Sequence, residues 1–599
     1  MSSKQCLRFL RPSLRDPRPA KKAAFTRFSS AAYHNLVRTN WPCVSSRGIA
    51  PRNRSLSTSA SRTSSDGQAG AAQDGLKTSA RRPSTVENRV QKLREYNALR
   101  YPRLDDRVNR MSIPAFRKTY QDHQGSTPAP DEVTLEGRIM SVRRAGSKLA
   151  FVDVKGGYEQ VQIMIGLASL SSSELGSHEF KEALHPFRRG DIISAKGKAV
   201  RTQMGELSLR ATEIPKLLSP GLAPLPEKLI NEETIIMNRH VDLLINQRTS
   251  DVLRLRSHII KSLRDYFHEQ DFLEVQTPIM SDFAGGATAR PFLTSATEFP
   301  EKSLALRIAP ELWLKRLVVG GNDKVFEIGP AFRNEGLDTT HNPEFTMCEF
   351  YSAYSNLSEL ISITEDLIMR LFRNADRLVQ SQLWSLDRER ILLPEGPWKQ
   401  VEFVPALENA LGFQVPDLSD PDALSKLSTL VSERTKLTVL PELTLSKLLD
   451  QLAGEYLEVS SLEQPLFIIH HPACMSPLSK SFTCPKTSQL VSARAELFIG
   501  GREIANMYEE ENDPFEQRRK FELQLQSRGS NAANDDEGPA EVDESYIQAL
   551  EHGLPPTGGW GCGVDRLVML LSGAPRISDT LSFGNLRNVV SLSQAVKNT

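Results

Sequence analysis

Between Val325 and Tyr351 the chain reads VFEIGPAFRNEGLDTTHNPEFTMCEFY, a stretch that gathers residue types able to bind a phosphate, a base and an amine. An apolar strand pattern runs into Phe332-Arg333-Asn334-Glu335, a polar loop follows, and a second strand pattern returns from Phe345 to Tyr351. That is the signature of a hairpin with a long functional loop. Strand alternation would put Arg333 and Glu335 on one face, and Phe345, Met347, Glu349 and Tyr351 on one face of the return strand. Taken alone, an Arg-x-Glu pair is also what a surface ion pair looks like. Further carboxylates recur elsewhere. Glu311 opens a helix-like run in RIAPELWLKRL, where it could equally be an ordinary first-turn acid, and Gly285-Gly286 upstream would allow close backbone approach to a ligand. In Glu496–Asn506 a Gly500-Gly501 turn would set Phe498 opposite Glu503 and Glu496 opposite Ala505. The two glutamates then become diagonal neighbours, roughly 7–8 Å apart at the backbone, within reach of one or two hard cations or simply exposed on a sheet. Asn506, Tyr508 and Glu510 share a face by alternation, but it is the face opposite Glu503 unless a bulge intervenes. Arg566 follows the glycines of PPTGGWGCGVDR at the start of a Leu-rich helical run, where amide dipoles favour phosphate.

The elements that must position these groups are legible in outline. From Asp251 a helical pattern continues through Phe267 and leads into FHEQDFLEVQTPIM, a strand ending near Pro278. Residues 131–220 contain five strand-like segments separated by Gly-bearing turns, the count of an OB-fold barrel. Ser84 and Glu87 stand in capping-box spacing before Val86, Val90, Leu93 and Leu99, a helical run that Pro102 stops. Residues 352–465 alternate helical patterns with polar loops, and 527–541 is a polar low-complexity stretch. His470 and His471 fit structural roles as readily as catalytic ones.

Length and composition bound the reading. A chain of 599 residues requires several domains, and 39% hydrophobic content without a long apolar run excludes a helical membrane protein. Residues 1–65 carry 13 Lys/Arg against one acid, Asp16, a net +12 that leaves about −11 for the rest of a chain totalling +1. This Arg/Ser/Ala-rich leader has the composition of a mitochondrial transit peptide, or alternatively of a basic nucleic-acid-binding tail, and 66–83 reads as a flexible linker. The acidic remainder is no general polyanion binder, so any RNA contact must be local, for example through 81–145 with its 14 Lys/Arg and 8 acids. Six cysteines without a CxxC pair point to free thiols rather than zinc.

The stretch 325–351, with the Arg566 segment downstream and the helix–strand–Pro278 segment upstream, resembles motifs 2, 3 and 1 of class II aminoacyl-tRNA synthetases, specifically those for lysine. The resemblance implies an α+β protein: an N-terminal helical extension (84–127), an OB-fold anticodon-binding barrel (128–222), a connection (223–250), and a catalytic domain (251–599). That domain would be an antiparallel sheet flanked by helices, with an insertion at about 355–465, rather than a Rossmann sheet. It further implies ATP and Mg2+, lysine and tRNA(Lys) as ligands, a homodimer built on motif 1, and, with the leader, the mitochondrial matrix. By the same resemblance Arg333 holds the α-phosphate and substrate carboxylate, Arg566 and His341 meet the γ-phosphate, Phe345 and Arg566 sandwich adenine, and Glu335 accepts from its amine. Glu496 and Glu503 hold the metal. Glu349 meets the α-amino group, Glu311 and Glu510 the ε-ammonium, with Gly286, Tyr351, Asn506 and Tyr508 completing the pocket. On the barrel, Phe151 stacks on a base, Gln162 and Glu206 read base edges, and Arg138 meets phosphate or base; without the family, Phe151 reads as core. Aspartate- or asparagine-charging enzymes share the architecture, but the two lysine-type carboxylates argue against an acidic or neutral substrate. A noncatalytic RNA-binding protein of the same fold would be expected to have lost these arginines and carboxylates.

Overall fold

Alternation along 149–156, where every second residue is buried, is the local signature of a strand with one face on a core. The computed structural model describes residues 84–104, 109–171, 176–283, 285–286, 289–386, 393–439, 444–527 and 541–595. The leader 1–65, the linker 66–83 and nearly all of the low-complexity stretch 527–541 lie outside the described residues.

Helix α1 (Thr85–Glu95) starts on the expected capping box, Ser84 and Glu87 each bonding the other's backbone N–H. It ends earlier than its apolar spacing indicates: Asn97 adopts φ 51°, so Leu99 lies beyond the helix. The barrel follows, with β1 (Glu132–Arg144), β2 (Leu149–Gly156), β3 (Glu159–Gly166), α2 (Ser177–Leu184), β4 (Ile192–Arg201) and β5 (Leu207–Ala211). Its strands close in the order β1-β2-β3-β5-β4-β1, with β3 and β5 parallel, so the five expected strands form a barrel without open edges. Phe180 and Leu184 of α2 join the barrel core with Leu135, Val152 and Ile163.

The stretch 223–250 is more ordered than its polar sequence implies, carrying helices Glu232–Met237 and Arg239–Ile245. Buried Arg239 pairs with Asp242 and donates to backbone carbonyls of Asp579 and Leu581, tying the barrel exit to the C-terminal segment.

The second layer is built on α3 (Gln247–Glu269), β6 (Leu273–Glu274), α4 (Glu311–Val319), β7 (Lys324–Phe332), β8 (Glu344–Ala353) and α5 (Leu357–Ser381). It continues with β9 (Lys399–Glu402), β10 (Leu466–Ile469), β11 (Arg494–Ile499), β12 (Arg502–Glu509), β13 (Thr557–Gly563) and α6 (Val564–Ser572). These strands make an eight-stranded sheet, β9-β10-β11-β12-β13-β8-β7-β6, antiparallel except for its two parallel edge strands. One face packs on α3, α5 and α6 through Phe267, Phe326, Phe350 and Trp560, the last two stacked at 5.2 Å. Each such buried aromatic contributes about 1.5–3 kcal/mol. Thus α5, although it begins the expected insertion, belongs to the sheet's own core; the later helices between Phe403 and Tyr456 form a separate cluster. The other face of the sheet opens into a cavity.

Candidate functional site

On β8 the alternation separates Cys348 and Phe350, which face the helices, from Met347, Glu349 and Tyr351, which line a cavity of about 1230 Å³. Of the expected amino-acid, nucleotide and metal residues, all but Glu510 line this cavity.

At its closed end the charges are buried. Glu349 accepts a hydrogen bond from the Tyr351 hydroxyl at 3.3 Å; burial, with Glu311 beside it, pushes its carboxyl up to about 8. Glu311 is the first residue of α4 and accepts from Tyr508 Oη at 2.6 Å. Gly286, at φ 94°, lies against it, and a Cβ there would stand 3.1 Å from Glu311 Cβ. Lys315, one turn along α4, is fully buried and donates to Glu311 at 2.7 Å. It also contacts Glu510, which sits one layer behind the wall at 1% exposure. Burial alone would lower the Lys315 ammonium, but Glu311 and Glu510 hold it well above its ordinary value. Neither Glu510 oxygen makes a well-directed hydrogen bond.

At the open end the charges pair with one another. Strand β7 stops at Phe332, so Arg333 and Glu335 lie in the connecting loop and not on a shared strand face as their alternation implies. The Arg333 N–H still bonds Pro343 O, its guanidinium lies 5.2 Å from the Phe345 ring, and its Nε is buried without a partner. Arg566, in the first turn of α6, donates to Glu503 Oε2 at 2.9 Å and to His341 Nε2 at 2.9 Å. Arginine can only donate, so Nε2 accepts and His341 Nδ1 carries the proton given to Asp338 at 2.7 Å. Asp338 turns the loop by accepting from the Thr340 and His341 N–H groups, and these bonds hold it at about 2 against its partial burial. Glu335 is exposed at the rim.

The β11–β12 hairpin corrects the expected register. Gly500 and Gly501, both at positive φ, make the turn and set Phe498 opposite Glu503, but a bulge follows, so Glu496 faces Asn506 instead of Ala505. Ile504 and Ala505 both enter the helix-packed core, which returns Asn506 and Tyr508 to the face of Glu503. Sequence alternation alone could not show this. Glu496 is bound by Arg494 and, at 3.1 Å, by His471 Nε2; against burial, the Arg494 charge above all and the bond to His471 hold it at about 2. His471 is therefore a support for Glu496, whereas His470 packs its ring edge on Phe482.

The carboxylates around Glu496 form an acidic cluster. Burial and the charges of Glu496, Asp450 and Glu503 push Glu458 up to about 7, the mark of a cluster with excess negative charge. Among the described residues no set of three or more ligand side chains forms a cage. A pair of carboxylates leaving the remaining positions to phosphates and water is how magnesium is usually held.

On the barrel, Phe151 is half-buried and outside the core cluster, with Arg143 5.8 Å from its ring. The same face of the barrel carries Gln162, which is buried at 5% exposure and donates to Glu206 Oε2 at 3.2 Å, and Asp153 directly across from Gln162. Arg138, beyond a bulge in β1, donates to Gly190 O at 2.7 Å.

Four residues are absent from the sequence reading. Lys315 and Arg494 are buried cations, each visible in sequence only as one more basic residue. Asp338 had a signal, the Asp-x-Thr-His spacing of an Asx turn. Asp565 binds Arg256 and accepts from the Thr346 N–H at 2.7 Å, locking α6 to β8 beside Phe345.

Two family profiles match the chain: tRNA synthetases class II (D, K and N) over residues 231–587, and the OB-fold nucleic acid binding domain over 133–217. The mitochondrial lysine–tRNA ligase of Schizosaccharomyces pombe is 41% identical over 507 residues, 84% of this chain and 93% of that protein. Lysine–tRNA ligase cla4 of Cladosporium cladosporioides is 39% identical over 515 residues, 84% of each chain. The lysine–tRNA ligase of Bacillus subtilis is 39% identical over 462 residues, 76% of this chain and 87% of that protein.

Proposed function

This chain belongs to the class II tRNA synthetases, on their lysine–tRNA ligase branch, and from that premise we propose how its residues divide the reaction. The enzyme activates lysine with ATP to lysyl-adenylate, releasing pyrophosphate, and passes the lysyl group to the terminal ribose hydroxyl of tRNA. Little covalent chemistry falls to the protein; positioning and charge stabilisation supply the rate.

The lysine lies along the closed end, its α-amino group on Glu349 and its ε-ammonium toward Glu311 and Glu510, with Gly286, Tyr351, Asn506 and Tyr508 shaping the slot. Arg333 bridges the substrate carboxylate and the α-phosphate, which brings nucleophile and electrophile together and stabilises charge developing at phosphorus. Its partnerless buried Nε supports that role. Adenine stacks between Phe345 and Arg566, its amine reaching Glu335, while Arg566 and His341 leave Glu503 and Asp338 to meet the γ-phosphate. Glu496 and Glu503 would hold Mg2+, which when bound neutralises phosphate charge.

On the barrel, Phe151 offers a stacking surface for a base, Gln162 and Glu206 offer edge donors and acceptors, and Arg138 offers a cation. Exposed Leu273, Ile279, Met280, Leu293 and Phe299, in the segment that follows α3, supply apolar side chains for contact with a second copy of the chain. The basic, acid-poor leader and the stated location of the S. pombe relative support the mitochondrial matrix as the compartment. No described helix is long and apolar enough to cross a membrane.

The observation that carries the lysine assignment is a pair of buried carboxylates, Glu311 in the wall of the closed end and Glu510 behind it across Lys315, in a cavity whose more open part holds the arginines. ATP–pyrophosphate exchange with each of the twenty amino acids supplied singly tests it. Exchange with lysine alone is expected; exchange with aspartate or asparagine would overturn the pocket assignment.

A further inference from the structure

Behind the closed end of the cavity the protein already holds an ammonium. Lys315 Nζ lies between Glu311 and Glu510, 2.7 Å from the first and in contact with the second, with no exposed surface. Three tyrosine rings from three other elements surround it: Tyr351 of β8 at 6.0 Å, Tyr508 of β12 at 5.7 Å, and Tyr546 of the helix Glu544–Glu551 at 5.8 Å. Its position is fixed locally, because residues i and i+4 of a helix share a face, so Glu311 and Lys315 meet whatever else binds. Only Glu311 of this ionic group reaches the cavity wall; Lys315 and Glu510 close the group from behind.

Two carboxylates packed together in a dry site cannot both remain charged without a counter-cation. One internal cation against two carboxylates leaves the site one positive charge short, a charge that a proton on Glu510 supplies in the empty enzyme, where burial raises its carboxyl well above the ordinary value. We propose that Lys315 is a positioning residue that determines specificity: it holds Glu311 and Glu510 side by side and offsets one of their charges, so that the pocket accepts a side chain with a single positive charge. A neutral side chain would leave that proton in place and gain no ionic partner. Without Lys315 the deficit would be two, and with one carboxylate removed it would be nil.

This inference rests on the assignment of Glu311 and Glu510 to the substrate ammonium, and a charge-balance cycle separates the two ideas. E510Q leaves Glu311 and Lys315 balanced, and should raise the lysine KM in ATP–pyrophosphate exchange by about 10²-fold, with kcat moving much less because the change is remote from phosphorus. Adding K315M restores the deficit of one. The double variant K315M/E510Q should therefore recover lysine binding by about tenfold or more over E510Q. The pair E311Q and E311Q/K315M provides the same comparison independently. A merely structural lysine predicts the reverse, since a second core substitution would only add damage. An unchanged KM in E510Q and E311Q would remove the substrate assignment and this inference with it. A raised KM that neither double variant relieves would overturn the inference alone. So would double variants that fail to fold beside soluble single variants, because Lys315 would then serve stability only.

Discussion

The blind end of the cavity and the anticodon-type face of the barrel are built by different physical means. In the cavity, Glu311, Lys315, Glu349 and Glu510 are all buried, each within reach of another charge or a tyrosine hydroxyl. Low exposure there moves protonation equilibria and makes each charge count. On the barrel, Phe151 is half-buried, Glu206 is exposed, and the groups hold one another through single hydrogen bonds. Such a surface contributes through area and stacking, and its charges are screened. On the proposed assignment, selectivity for the amino acid would therefore reside in a few buried charges, while the barrel would add affinity for a much larger ligand.

The strongest challenge to this contrast is Arg333→Ala. It should lower adenylate formation by roughly 10²-fold or more, the scale of losing a transition-state donor. Near-normal lysine-dependent exchange would sink the assignment. Gly559→Ala probes how tightly the closed end is built. A Cβ there would stand 1.9 Å from Glu510 Oε1 and 2.7 Å from Tyr351 Cε1. The variant should lose about 1–3 kcal/mol of stability in thermal unfolding and bind lysine poorly, while ATP affinity is kept. Phe151→Ala reads the other region: exchange should be spared and tRNA charging weakened by about 1–3 kcal/mol. Equal loss in both assays would return Phe151 to the core.

The smallest effect is a pH dependence confined to the cavity. Because burial raises Glu349 to about 8, the empty enzyme holds it protonated at neutral pH, and only the ionised form complements an α-ammonium. Lysine kcat/KM should then rise by about tenfold from pH 6 to 7 and flatten near pH 8, where the substrate's own α-ammonium begins to titrate away. For stability the sign is opposite: between about 4.5 and 8 the folded carboxyl binds the extra proton, so this group makes the empty enzyme less stable as pH rises. A flat kcat/KM profile would mean that Glu349 does not meet the amino group. The charging contribution of Phe151 should show no such profile.

What the sequence determined by itself is what depends on near neighbours. Apolar patterning marked the strands of the barrel and of β7 and β8; the Ser84–Glu87 spacing marked the start of α1; and the Gly500-Gly501 pair marked a turn. The residues carrying the family motifs were readable as types at fixed spacings, and all but Glu510 of the expected amino-acid, nucleotide and metal residues line one cavity. The tertiary structure decided which faces those residues present and which charges they meet. A single bulge at Ile504 turns Asn506 and Tyr508 toward Glu503, because one extra residue reverses every later side chain on a strand of period two. Lys315 and Glu510 are 195 positions apart, and Arg256 and Asp565 are 309 apart, so neither pairing leaves a local trace in the sequence. Charge balance in a buried site is a property of everything folded around it, and no window of neighbouring residues contains it.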